Sequence, residues 1–390
     1  MRIVFLQISD LHIKDKSGAH PSRIQAIVQS IHEFDEFDGI VIVLSGDLAA
    51  TGSKNEYSIV SSFIGQLMSG IRTAYPNIDT KNIKLLVVPG NHDIHYSTGH
   101  RPDSSLVENA FKNRPEEYLI SELDNMQNFM AFANASNCFF IQTSIPNGII
   151  YTRKILHFSN GYMVEANLLN TAPFSCENDD GLHYIPDEVI TSFNNPSRAN
   201  ISITVMHHSP DWFNFAQRKS LQDVIARRCC ISFFGHEHIH AAQQIFSEGV
   251  DRTIYQGCGA WWQKAAPDKC EFYASILDTD KYMYSVFQMS WNGRQFDSSS
   301  AGNYPLMHKP LNGVSLPCTD EYLKEIRSDC KHPVSNSIED YYVFLKLRIN
   351  DPNRILEEKN INTLEELLSF IHARHYVAIL GGSNSGKTTL

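Results

Sequence analysis

The sequence has 390 residues, 42% of them hydrophobic and 19% charged. At roughly 100–200 residues per domain this leaves room for two or three domains with a buried core, and it excludes a disordered chain. The formal charge of −10, from 33 basic and 43 acidic side chains, excludes a uniformly basic nucleic-acid or membrane binder. No apolar run approaches the roughly 18 residues of a membrane span, and MRIVFLQISDLH lacks the layout of a signal peptide. The eight cysteines form no CxxC pair, the nearest being adjacent Cys229 and Cys230, which reads as reduced thiols in a cytoplasmic protein.

In chain order, Ile3 to Ile8 is a short apolar run and Pro21 to Phe34 has helical spacing. Gly39 to Leu44 (GIVIVL) reads as a buried strand, Asn55 to Ile71 as a helix, and Ile83 to Val88 as a further strand. Alternating strand and helix predict a sheet that starts parallel. The stretch 96–147 is less regular, with a helix over Ser121 to Ala135, and is expected to be an insertion or lid. Strand signals return at Gly148–Phe158, Tyr162–Leu169, Ile201–Met206, Ile231–Phe234, Arg252–Tyr255, Glu271–Leu277 and Tyr282–Met289. Two facing mixed sheets with helices outside fit this order better than one doubly wound sheet. From Ser298 to Ser337 the chain turns polar and Pro-rich, as a connector does. A new unit begins near Ile338, with a strand at Tyr341–Ile349, a helix at Leu364–Ala373 and a strand at Tyr376–Leu380.

Polar clusters sit at the strand ends, where open α/β sheets gather reactive groups. They are Asp10 and His12; Asp47; Asn91, His92 and Asp93; His207 and His208; His236 and His238. A lone DxH or GD is ordinary loop chemistry, and HH or GHEH can be surface histidines. Their coincidence at successive strand ends points instead to a two-metal site. Carboxylate, imidazole and amide oxygen together suit Mn, Fe or Zn better than Mg or Ca. A single aspartate such as Asp47 can bridge two ions about 3.5–4 Å apart.

The ordered set SDLH, GDL, GNHD, HHSP and GHEH resembles the calcineurin-like metallophosphoesterase superfamily over roughly residues 1–290. The resemblance implies an α/β four-layer αββα sandwich with a dinuclear centre at one edge. It implies that Asp10, His12 and His238 hold one metal, that Asp47 bridges, and that Asn91, His207 and His236 complete the other. Either His207 or His208 could be the ligand; His207 is preferred because it directly follows its strand, with His208 nearer the substrate. His92 would contact the phosphate or protonate the leaving oxygen, and Asp93 would orient His92. Glu237 should point away.

Gly381, Gly386, Lys387 and Thr388 satisfy G-x-x-x-x-G-K-[ST] after the strand YVAIL, the context a phosphate-binding loop requires. ATP and Mg²⁺ binding is expected only in a longer protein, because Leu390 follows Thr388 by two residues. The lead-in resembles STAND or NACHT-type NTPases, an arrangement similar to a bacterial immune sensor with an enzyme as effector. The expected organisation is an enzyme domain at 1–297, a connector at 298–337 and the start of an NTPase at 338–390. Oligomerisation is expected through the region beyond it.

Three functions remain: a nuclease or phosphodiesterase effector with DNA or RNA as partner, a phosphomonoesterase or protein phosphatase, and a non-catalytic binding module. Basic clusters at Arg72, Lys81 and Lys84, or at Arg218, Lys219, Arg227 and Arg228, could meet a polyanion but read singly as solvated helix faces. Trp261 and Trp262 could stack a base, with core packing the plainer reading.

Overall fold

The computed structural model describes residues 1–16, 21–34, 36–97, 99–122, 124–136, 150–195, 199–238, 240–247, 250–262, 269–306, 345–349 and 357–361. Its strands are β1 (Arg2–Ile8), β2 (Gly39–Ser45), β3 (Ile83–Val88), β4 (Tyr151–His157), β5 (Met163–Leu169), β6 (Ile201–Val205) and β7 (Ile231–Phe234). They continue with β8 (Ala241–Ser247), β9 (Val250–Gly257), β10 (Glu271–Asp278), β11 (Met283–Trp291), β12 (Phe296–Pro305), β13 (Leu345–Ile349) and β14 (Glu357–Ile361). The helices are α1 (Pro21–Ser30), α2 (Lys54–Ala74), α3 (Ser104–Asn113), α4 (Pro115–Glu122), α5 (Gln127–Ala135), α6 (Asp187–Phe193) and α7 (Phe215–Arg228).

Two six-stranded mixed sheets form the first unit, in the orders β12-β11-β10-β1-β2-β3 and β4-β5-β6-β7-β9-β8. In the first, β1, β2 and β3 are parallel while β10 runs antiparallel to β1. In the second, β5, β6, β7 and β9 are parallel. Every residue of β1 from Ile3 to Ile8 is buried, as a strand covered on both faces requires. Successive side chains alternate between those faces. Phe5 meets Phe233 of the other sheet, ring centroids 5.7 Å apart. Two residues on, the Gln7 amide donates to Phe234 O at 2.8 Å and accepts from Gln256 at 2.8 Å, tying the sheets together. This is the expected two-sheet α/β sandwich.

Helices cover the outsides. Val60, Phe63, Ile64, Leu67 and Ile71 make the buried stripe of α2, spaced three and four residues apart. A capping box, Ser53 with Glu56, starts α2 and lets the Glu56 carboxylate accept from Thr51 N at 2.9 Å, which holds the neighbouring loop. In α7, Leu221, Val224 and Ile225 pack into a second core cluster with Met206 and Phe234.

Some expectations change. The helix placed at Ser121–Ala135 is two helices, α4 and α5, with α3 before them. Strand β12 continues past Ser298 to Pro305 despite its run of serines, because one face of an edge strand needs no apolar cover. Arg228 is not a solvated cation: it is buried 3.7 Å from Glu165 and donates to Asn195 O. Within the second unit, β13 and β14 form an antiparallel pair. The helix at Leu364–Ala373, the strand at Tyr376–Leu380, and Gly381, Gly386, Lys387 and Thr388 lie outside the described residues, as does most of the connector. No helix among the described residues is long and apolar enough to cross a membrane.

Phe5→Ala should cost about 3–5 kcal/mol, the usual loss for emptying a buried ring site. Urea unfolding followed by circular dichroism should show a lower midpoint at unchanged slope. A midpoint equal to the parent's would mean that the two sheets do not close on this ring.

Candidate metal centre

All five sequence clusters meet at the carboxyl ends of parallel strands from both sheets. Backbone bonds lash their loops together. Asp10 N donates to Gly46 O (3.0 Å), His12 N to Asp47 O (2.9 Å), and Gly235 N to His207 O (3.0 Å). Five of these residues take left-handed backbone: Asp10, His12, Asp47, His236 and His238, with φ of 45–70°. Non-glycine residues seldom adopt that region, and such strain collects at functional sites. Glycines allow the close approach. A Cβ on Gly46, whose φ is 103°, would strike the His207 ring, and one on Gly90 would strike Asp47.

Asp10, His12 and His238 form one group of donor atoms within 4.8 Å of one another; His207, His208 and His236 form another. In the first, His238 Nε2 is 3.1 Å from Asp10 Oδ1, and His12 Nε2 is 3.9 Å from the same oxygen. Asp47 stands between the two, its Oδ2 3.9 Å from His12 Nε2 and 3.5 Å from His207 Nε2. Its Oδ1 accepts from the His92 amide at 2.7 Å. His207 Nδ1 is 2.8 Å from Ser45 O. A carbonyl only accepts, so Nδ1 carries a proton and Nε2 is the nitrogen that faces the cluster, free to ligate once its own proton is displaced. The Asn91 Oδ1 atom lies 3.1 Å from His207 Nε2 and 3.2 Å from His236 Nδ1.

These donors fit a cation. Asp10 and Asp47 are both buried, and a buried carboxylate without a compensating charge costs several kcal/mol. The ligand atoms lie within 4.8 Å of one another in each group, with the Asn91 amide beside them, and carboxylate, imidazole and amide oxygen together are the borderline donor set of Mn, Fe or Zn.

Without a metal, protons carry part of this load. Burial opposes charge on His207, yet Asp47, its hydrogen bond and Asp10 push the imidazole up to about 9. Burial also opposes ionisation of Asp47, but His207 holds its carboxyl well below the usual range. Burial lowers His12, and takes His236 down to about 3. His238 is raised, chiefly by its hydrogen bond to Asp10.

His92 and Asp93 correct one expectation. The His92 Nδ1 atom is 3.0 Å from Ala50 O, so a backbone carbonyl orients the ring. The Asp93 carboxylate instead accepts from Leu48, Ala49 and Gly90 amides and from Tyr57 OH, stitching the β2 and β3 loops. Burial, followed by the Asp47 charge, pushes Asp93 up to about 6 despite those bonds. His208, expected near the substrate, is fully buried; its Nδ1 is 2.9 Å from Thr171 Oγ1 and its ring stacks 3.9 Å from His183. Glu237 points away as expected, accepting from Trp212 Nε1 at 3.3 Å, while the Trp212 ring sits edge-on 4.3 Å from His236. Trp261 is buried core; Trp262 is partly exposed, 6.2 Å from His12.

Three neighbours gave no sequence signal. Asp179 lies 3.3 Å from His183 Nε2, and with His208 they form a further buried donor group. Arg101 lies against the Asn91 amide. None follows a predicted strand, and that context is what drew attention to the other residues.

A family model described as calcineurin-like phosphoesterase matches residues 3–240. No curated protein matches the sequence significantly. Similar solved structures include vacuolar protein sorting 29 from Cryptosporidium parvum, at 11% identity and a TM-score of 0.35, covering 78% of this chain and 98% of that one. A hypothetical protein from Thermus thermophilus is 13% identical, with a TM-score of 0.35, covering 79% of this chain and 100% of its own. Wild-type Vps29 complexed with Zn²⁺ from Entamoeba histolytica is 8% identical, with a TM-score of 0.30, covering 76% and 98%.

The raised His207 yields a linkage prediction. Its folded value of about 9 exceeds the unfolded 6.5, so its ion pair stabilises the metal-free protein fully below about pH 6.5 and is lost as pH rises through 9. An ion entering at pH 7 must displace that proton. Calorimetry in buffers of different ionisation enthalpy should show release of about one proton per chain and affinity rising from pH 7 to 9. Proton-neutral, pH-independent uptake would show that His207 is not in the site.

Proposed function

The chain belongs to the calcineurin-like phosphoesterase family, whose members act on phosphoester bonds and typically bind two divalent metal ions, and we propose that it is a dinuclear metal-dependent phosphoester hydrolase. The single observation that carries this reading is Asp47, whose buried carboxylate stands between the His12 and His207 groups as a bridging ligand must. Asp10, His12 and His238 hold the first ion, and Asn91, His207 and His236 the second. His207 rather than His208 is the ligand, because its Nε2 is the one within reach of Asn91 and Asp47. Manganese suits the mixed donor set.

When bound, the two ions supply Lewis acidity, lowering the pKa of water toward neutrality and offsetting phosphate charge. The chain's own residues do the rest. The Ala50 carbonyl fixes one proton on His92 Nδ1, so Nε2 is the nitrogen that would carry a second proton and give it to the departing oxygen, leaving the ring neutral. Asp93 acts through the loops, by setting Gly90 and Leu48 amides so that Asp47 and His92 keep their places. The buried loops exclude bulk water from the donor atoms and keep each lone pair aimed inward.

Nucleic acid is the preferred substrate, and the C-terminal unit is the start of a P-loop NTPase that controls the enzyme in a defence-like protein. The Gly381–Thr388 motif behind a phosphoesterase supports that order. The proposed organisation is an enzyme at 1–297, a connector at 298–337 and an NTPase start at 338–390. The cysteines among the described residues are all free thiols, which fits a cytoplasmic setting. The net charge of −10 favours the second reading, a phosphomonoesterase working on small esters.

One panel separates the two: purified chain with Mn²⁺ on single- and double-stranded DNA, RNA, cyclic nucleotides and an aryl phosphate. Cleavage of polynucleotide is expected, and turnover of the aryl phosphate alone would exclude a nuclease. His92→Ala should keep its metals and lose about 10²–10⁴ in kcat on substrates with poor leaving groups. Full activity on them would remove His92 from the proton transfer.

A further inference from the structure

The Asn91 amide has two faces. Its Oδ1 looks into the cluster, 3.1 Å from Asp47 Oδ2 and His207 Nε2 and 3.2 Å from His236 Nδ1, while its nitrogen lies 2.6 and 2.9 Å from the Arg101 guanidinium. Donor then faces donor on the Arg101 side, and two acceptor oxygens, Asn91 Oδ1 and Asp47 Oδ2, face each other inside. Turning the amide by 180° removes both clashes at once: Oδ1 accepts from Arg101 and the NH₂ donates to Asp47 Oδ2. The orientations are therefore exclusive. With the oxygen outward, Arg101 holds Asn91 and the second site has an N–H where a cation needs a lone pair. With the oxygen on a cation, the guanidinium meets an NH₂ and has to turn away.

A destination lies beside it. A cavity of about 450 Å³ adjoins Asn91 and His92 and is lined also by Thr51, His95, Tyr96 and Arg101. Its lining contains no carboxylate, and Arg101 has no ion-pair partner among the described residues. The cavity is therefore rich in donors, with an unspent cation at the edge of the metal cluster, the complement of an anionic ester. A guanidinium presents a rigid two-pronged fork that matches two phosphate oxygens.

We infer that Arg101 binds the substrate phosphate in this cavity and that, in the metal-free protein, it latches Asn91 away from the second ion. The proposal rests on the hydrolase reading above. It makes Arg101 a competitor of one ligand and a partner of another, so its removal must move two affinities in opposite directions.

The test uses the full chain, titrated first with Mn²⁺ and then, once loaded, with inorganic phosphate, by calorimetry. Arg101→Ala should still take up two ions per chain, with the second binding more tightly than in the parent. It should bind phosphate about ten- to a hundredfold more weakly, the usual cost of losing charge-assisted hydrogen bonds. Arg101→Lys, which keeps the charge but not the fork, should recover part of the phosphate affinity. A merely structural arginine would weaken both ligands or neither. Phosphate affinity within twofold of the parent, or a second ion no tighter than in the parent, overturns the inference and leaves the hydrolase reading standing. A parent chain that takes up no second ion overturns both.

Discussion

Two carboxylates, Asp10 and Asp47, are buried within a few ångströms of each other, and the rest of the molecule is arranged around that cost. Negative charge out of water demands positive charge beside it. In the metal-free chain a proton on His207 supplies some of it, and the two divalent ions of the proposed site would supply it more fully. Left-handed backbone at five of the donor residues is the second cost, and it persists because backbone bonds between loops over-determine those positions. Glycine at 46 and 90 is what lets the loops come that close.

The sandwich supplies the rigidity that this arrangement needs. Parallel strands of both sheets end on the same side, so loops distant in sequence converge without long excursions. Gln7 and Phe5 lock one sheet to the other directly beneath the site. Asp93 spends its carboxylate on backbone amides of the two central loops and thus belongs to this scaffold, not to the His92 ring.

Much of this was legible in the sequence because each donor cluster follows an unbroken apolar run. Such a run reads as a buried strand, and a polar motif at its end reads as a site. What escaped lacks that grammar. The α7 sequence FAQRKSLQDVIARR buries only a narrow stripe, and β12 is a serine-rich edge, so neither carries a clear period. Arg101 and His183 come from irregular segments whose place beside the cluster depends on tertiary packing. Asp93 shows a further limit: adjacency in GNHD suggested a carboxylate–imidazole pair, but the tight turn points neighbouring side chains to different partners.

The central claim is that one buried cluster holds two ions, with Asp47 shared between them. The most direct measurement is metal content per chain after loading with Mn²⁺ and removal of free ion, for the parent and for Asp47→Asn. The account predicts two ions in the parent and one or none in the variant, with circular dichroism unchanged. A variant that retains both ions, or a folded parent that retains none, would contradict it.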